Sequence, residues 1–169
     1  MKKLNNKGFS LVELLGVILL IGILMSMSMI AYSTIVDNSR KDAYLDIIKL
    51  QAKAVQNLVN GGDFYADDEE TTYYFDYRLV VDEETSKSPY ADWDEAYIVV
   101  TFDGNKYTYY WTGIDKAGWK IDLNKKTEKL ERKDIYNKKG TKISTDKKIG
   151  SKNKIIIYDE FGEETEKTV

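Results

Sequence analysis

Few side chains in this sequence can do covalent chemistry. Its 169 residues include no His and no Cys. That removes Ser-His-Asp and Cys-His triads, Cys/His zinc sites and disulfides. Ser86-Lys87 and Ser151-Lys152 are sequence neighbours, so their side chains diverge along a strand and form no dyad. Asp67-Asp68-Glu69-Glu70, Asp82-Glu83-Glu84 and Asp92-Trp93-Asp94-Glu95 offer the oxygen ligands calcium favours. None has the glycine-turned loop and distal Glu of an EF-hand, and they read as solvated acidic loops. No catalytic residue, cofactor or metal is therefore assigned. Tyr107, Tyr109 and Trp111 alternate onto one sheet face. They could stack on a sugar or a base, but read better as a core stripe against a helix. The Lys/Arg block at 120–154 could meet DNA phosphates. It interleaves few aromatics, so it reads as a mobile solvated loop region, and a nucleic-acid partner is unsupported.

One carboxylate stands apart. Glu13 lies near the start of an apolar run from Phe9 to about Val36, and no charged residue follows it until Asp37. A charge inside a bilayer costs about 2.5–3.5 kcal/mol on the mildest scale, which makes such a residue functional by default. The alternative is a carboxylate at headgroup level. The run is too long for a signal-peptide core, and Ala31-Tyr32-Ser33 is a poor cleavage site at its far end. It does supply the roughly 20 apolar residues of a membrane anchor. Charge is segregated along the rest of the chain. Lys2, Lys3 and Lys7 precede the run, 63–115 carries fourteen acids against three bases, and 120–154 carries thirteen bases against five acids. These blocks read as solvated faces balancing one another, with subunit attraction as the alternative.

The segment Lys7-Gly8-Phe9-Ser10-Leu11-Val12-Glu13-Leu14-Leu15 resembles the type IV prepilin motif: a basic leader ending in Gly, then Phe, then Glu at the fifth mature position. The likeness covers residues 1–36 closely and the following helix loosely. It implies cleavage by a prepilin peptidase between Gly8 and Phe9, and methylation of the Phe9 amine by the same enzyme. It also implies subunit assembly through Glu13, whose carboxylate would pair with the Phe9 amine of a neighbouring pilin and fix the stagger in a dry filament core. Other pilin subunits, an assembly ATPase, a platform protein and the membrane are the partners it implies. Many members carry a proline near the position of Ile30, which this chain lacks.

The elements that must position these residues follow from periodicity. Past the anchor, Tyr44, Ile47, Ile48, Val55, Leu58 and Val59 recur at helical spacing, and Gly61-Gly62 supplies a stop. One helix from Phe9 to about Asn60 would run roughly 75–80 Å. Gly16 and Gly22 inside it mark either a stretch that can extend or pack closely, or ordinary glycine tolerance of membrane helices. Strands are expected at 73–81, 96–102, 106–111, 118–123 and 154–158, with Asp103-Gly104-Asn105 turning a hairpin. The predicted class is α+β: a long N-terminal helix packed on a small antiparallel sheet of four or five strands, similar to the pilin ladle. The expected organisation is leader 1–8, membrane and filament-core helix 9–36, amphipathic helix 37–60, and a β-rich head 61–169 with a basic loop region and a flexible acidic tail. Leader lysines orient the amino terminus to the cytoplasm. The resemblance implies a membrane-held precursor and then an extracellular filament, for adhesion, motility, DNA uptake or secretion. The alternative is a membrane-tethered binding module whose head recognises DNA or glycan without a filament.

Overall fold

The computed structural model describes residues 10–81 and 86–168. Its contacts divide the chain into two units, 1–39 and 40–169. Helix α1, Leu11–Gly61, contributes to both.

In the second unit, α1 buries Tyr44, Leu45, Ile48, Gln51, Ala52, Val55 and Val59. Steps of three and four residues place these side chains on one stripe. Leu45, Gln51 and Ala52 are members that the sequence periodicity did not name, while Ile47 and Leu58, which it did name, are half-buried. The helix ends as the glycines predict. Gly62 takes a left-handed φ of 81°, its N–H reaches Val59 O at 3.3 Å, and Asp63 N–H reaches Leu58 O at 3.1 Å. That is a Schellman termination, in which two otherwise orphaned carbonyls are satisfied.

The sheet has seven strands: β1 Thr71–Asp76, β2 Trp93–Phe102, β3 Tyr107–Asp115, β4 Trp119–Ile121, β5 Tyr136–Asn137, β6 Lys154–Tyr158 and β7 Glu164–Thr168, in the order β5-β4-β3-β2-β1-β6-β7. This is the expected α+β class with more strands than periodicity supplied. All neighbours are antiparallel except β1 and β6, which run parallel. The register builds rows across the sheet: Ile156, Tyr73, Val100 and Tyr109 form one, and Tyr158, Phe75, Ile98 and Trp111 another. Both rows belong to the core that includes the α1 stripe. The period-2 alternation sends Tyr74, Val99 and Ile155 to a second, smaller cluster on the opposite face.

The head carries more structure in two places than periodicity supplied. Residues 138–153 of the basic block form no helix or strand, but the block as a whole is not bare loop. It contains β4, β5 and two 3-10 turns, Thr127–Lys129 and Arg132–Asp134. Its later part packs on the outer sheet face: Ile149 joins the smaller cluster, Ile149 N–H donates to Thr72 Oγ1 at 3.2 Å, and Tyr74 Oη donates to Lys147 O. The acidic C-terminal segment is likewise no free tail. Asp159 Oδ1 accepts from Phe161 and Glu163 N–H, both at 2.9 Å, and this turn delivers β7 in antiparallel register beside β6. The charges on β7 suit an edge strand, where they discourage pairing with other chains.

Candidate functional site

The site the sequence singles out is the start of α1. Gly8 and Phe9, the expected cleavage and methylation positions, lie outside the described residues. Glu13 is described, in the first helical turn. Its Oε2 accepts from Ser10 N–H at 2.8 Å and from Ser10 Oγ at 2.9 Å. Ser10 Oγ in turn accepts from Glu13 N–H at 3.2 Å. Ser10 is thus the N-cap and Glu13 the third helical residue of a capping box, which satisfies backbone N–H groups the helix start leaves unpaired. Sequence reasoning missed this pairing, although Ser10 and Glu13 carry the S-x-x-E signal at the head of an apolar run. No hydrogen bond among the described residues uses Glu13 Oε1.

From Leu11 to Ile35 every residue of α1 is exposed. Leu11 is 83% accessible, and the more central Leu19 and Leu20 are 62% and 61%. Exposure of that much aliphatic surface to water is strongly unfavourable, at about 25 cal/mol per Å². The segment therefore requires an apolar surrounding. Among the described residues, this is the one helix long and apolar enough to cross a membrane.

Its hydroxyl groups are compatible with that surrounding. Ser26 Oγ donates to Ile23 O at 2.7 Å, Ser28 Oγ to Leu24 O at 2.8 Å, Ser33 Oγ to Ile30 O at 2.9 Å and Thr34 Oγ1 to Ile30 O at 3.1 Å. Each of these four hydroxyls thus bonds back to its own helix, so none of the four presents an unpaired donor to lipid. The helix passes unbroken through Gly16, Gly22 and Ile30. A Cβ built at either glycine meets nothing within 4 Å, so no contact among the described residues demands a glycine there.

The acidic runs serve local backbone. Asp68 accepts from Glu70 N–H and Thr71 Oγ1, both at 2.8 Å, and these bonds hold its carboxyl below the usual range. Asp103 caps the β2–β3 hairpin through Lys106 and Asn105 N–H, at 2.8 and 3.1 Å. Asp82, Glu83 and Glu84 lie outside the described residues. The stripe of Tyr107, Tyr109 and Trp111 packs with the main core, as alternation predicts.

Residues 3–29 match the family described as the prokaryotic N-terminal methylation motif. Comparisons with curated proteins and with solved structures find no match. The matched segment begins at Lys3 and extends deep into the exposed apolar helix. It points to a structural protein rather than an enzyme, held in the membrane as a precursor, processed by a prepilin peptidase and assembled with other pilins. The N-terminal methylation motif and the apolar helix it leads into support this chain as a type IV pilin-like prepilin.

Proposed function

We propose that the chain is a structural subunit of a type IV pilus or a related pilin-like filament. Prepilin peptidase cuts between Gly8 and Phe9 and methylates the new amine of Phe9. Residues 9–36 then serve twice, as the single membrane span of the precursor and as the helix packed in the filament core. Glu13 pairs with the Phe9 amine of an adjacent subunit and sets the axial register. An assembly ATPase and a platform protein supply the work of extraction, and the head faces the cell exterior in the finished filament.

One observation carries the reading. The methylation motif runs directly into a helix whose residues from Leu11 to Ile35 are all exposed among the described residues. Such a surface needs lipid before assembly and other helices after it, and a pilin meets both environments in turn. Burial of Glu13 among such helices is tolerable only with a cation beside it, and a freed amino terminus four residues upstream is such a cation.

N-terminal mass spectrometry on the native protein from membrane and surface fractions tests the reading. The expected peptide begins at N-methylated Phe9. An intact leader in both fractions, or a start near Tyr32, would overturn it.

A further inference from the structure

A cluster of aromatic rings and cations surrounds Arg40 and Lys41, where the head unit begins. The Tyr90 and Trp119 rings are stacked, with centroids 4.2 Å apart and planes 17° from parallel. The Arg40 guanidinium lies 5.8 Å from the Tyr90 centroid, and the Lys41 ammonium 5.7 Å from that of Trp119, both within cation–π range. Tyr44 fastens the stack to α1, since its hydroxyl donates to Trp119 O at 3.3 Å and its ring lies 6.3 Å from Tyr90. Two more cations flank Trp119. Lys138 N–H donates to Gly118 O at 2.8 Å, and a Cβ at Gly118 would lie 3.0 Å from Lys139 Cα. Arg40, Lys138 and Lys139 are exposed, and both stacked rings are half-buried. Asp42, the nearest carboxylate after Lys41 in sequence, is committed to Arg132 through paired bonds of 2.6 Å.

The position of the cluster along the chain is a second, independent observation. Arg40 follows residue 36, the end of the proposed span, so the backbone can carry it at most about 14 Å from that point. With the leader lysines in the cytoplasm, Arg40 and Lys41 stand on the side of the span where basic residues are disfavoured, so a compensating contact is expected there. Tyrosine and tryptophan rings together with long basic side chains are the groups that membrane–water interfaces gather.

We propose that this cluster docks the head on anionic phospholipid headgroups. Arg40, Lys41, Lys138 and Lys139 meet the phosphate oxygens, and the open parts of the Tyr90 and Trp119 rings lie at headgroup level. Each basic residue at an anionic surface favours the docked state by about fivefold. A second copy of the chain is the rival occupant. Lipid is favoured because the span tethers the cluster beside it, which gives headgroups a high effective concentration whether or not a filament has formed. The docking rests on the reading of residues 9–36 as a membrane span.

The test reconstitutes the full chain in phosphatidylcholine vesicles, with and without phosphatidylglycerol, and reads quenching of tryptophan emission by a headgroup-nitroxide lipid. Trp93 and Trp111 are buried, and a Trp119→Phe variant subtracts their share. Quenching of Trp119 should be at least about twofold greater in the anionic vesicles, and should decline as salt rises. Arg40→Gln with Lys41→Gln should return it to the phosphatidylcholine level. Lys138→Gln with Lys139→Gln, which leaves both cation–π pairs in place, should also lower it. Equal quenching in the two vesicle types, or indifference to both double substitutions, overturns the docking. So does quenching that falls as the protein-to-lipid ratio rises, which would assign the cluster to a second copy. Extraction of the chain by alkaline carbonate would overturn the span reading and the docking together, whereas retention without anion-dependent quenching overturns the docking alone.

Discussion

Glu13 shares a single carboxylate oxygen with Ser10. Both Ser10 donors, the backbone N–H and the hydroxyl, converge on Oε2 at 2.8 and 2.9 Å, while Oε1 takes no hydrogen bond among the described residues. A carboxylate can accept about four hydrogen bonds in all. Glu13 can therefore hold its own helix start with one oxygen and receive an amine from another subunit with the other. Capping and assembly need not compete, and substitutions can separate them.

Glu13→Gln retains an amide oxygen for Ser10 but removes the charge. It should insert in the membrane normally and yield few filaments. Glu13→Ala, which loses the cap as well, should also insert and assemble poorly. Ser10→Ala weakens the helix start by about 1 kcal/mol and should assemble nearly as the parent does. Filament mass sheared from cells, measured against protein in the membrane fraction, distinguishes the three. Normal yield from Glu13→Gln would sink the charge-pairing account.

In the head core, Gln51 is fully buried. It accepts from Trp111 Nε1 at 2.7 Å and donates to Ser86 Oγ at 2.5 Å, and Ser86 O accepts from Trp93 Nε1. The amide thus ties α1 to β3 and to the segment before β2. Gln51→Leu strands an indole N–H in the core. The expected loss is about 2–3 kcal/mol, seen as a lower urea midpoint followed by tryptophan fluorescence. A midpoint equal to the parent's would show that the network contributes no net stability.

Sequence periodicity made the helix, its glycine stop and the central hairpin legible, because each is set by neighbours in the chain. Tyr107, Tyr109 and Trp111 announced a buried face by alternation alone. The β1–β6 pairing could not be read, since Thr71 and Lys154 meet across a long separation with no periodic signal. β7 was hidden by its charges: Glu164, Glu166 and Lys167 resemble a solvated tail, yet suit the outer edge of a sheet. The second cluster was missed for a related reason, as Ile149 is an isolated apolar residue among lysines and glycines. Gln51 and Ser86 were missed because a buried polar residue is defined by its partners rather than by its own type.

Gly113 tests the packing of Trp111. A Cβ at Gly113 would lie 2.4 Å from Trp111 Cη2 and 3.0 Å from Ala96 Cβ, so the indole ring rests where a side chain would stand. Trp111 is fully buried and packs edge-on to Trp93, with centroids 5.3 Å apart, so it has little room to retreat. Gly113→Ala should cost about 1–3 kcal/mol through overpacking. The accompanying sign is a changed near-ultraviolet tryptophan circular dichroism. A variant as stable as the parent would mean that the indole can move aside.

Two head carboxylates should oppose each other in pH dependence. Arg132 holds Asp42 through paired bonds, Nε to Oδ1 and Nη2 to Oδ2, each 2.6 Å. These hold the Asp42 carboxyl below its ordinary value. A lowered folded pKa gives stability that is present above the unfolded value, about 3.9, and is lost as pH falls through the folded one. Asp115 behaves inversely. Burial raises it, despite bonds from Ser88 Oγ at 2.7 Å and Trp119 N–H at 2.9 Å. Its contribution is present below the unfolded value and is lost as pH rises through the folded one. Urea midpoints between pH 3 and 7 separate the two. Arg132→Gln should flatten the acid-side fall in stability. Asp115→Asn should gain on the parent as pH rises, because the variant has no buried charge to form. If the Asp115→Asn difference stayed constant across that range, the carboxyl would titrate alike in folded and unfolded chains, and burial would not be its dominant influence.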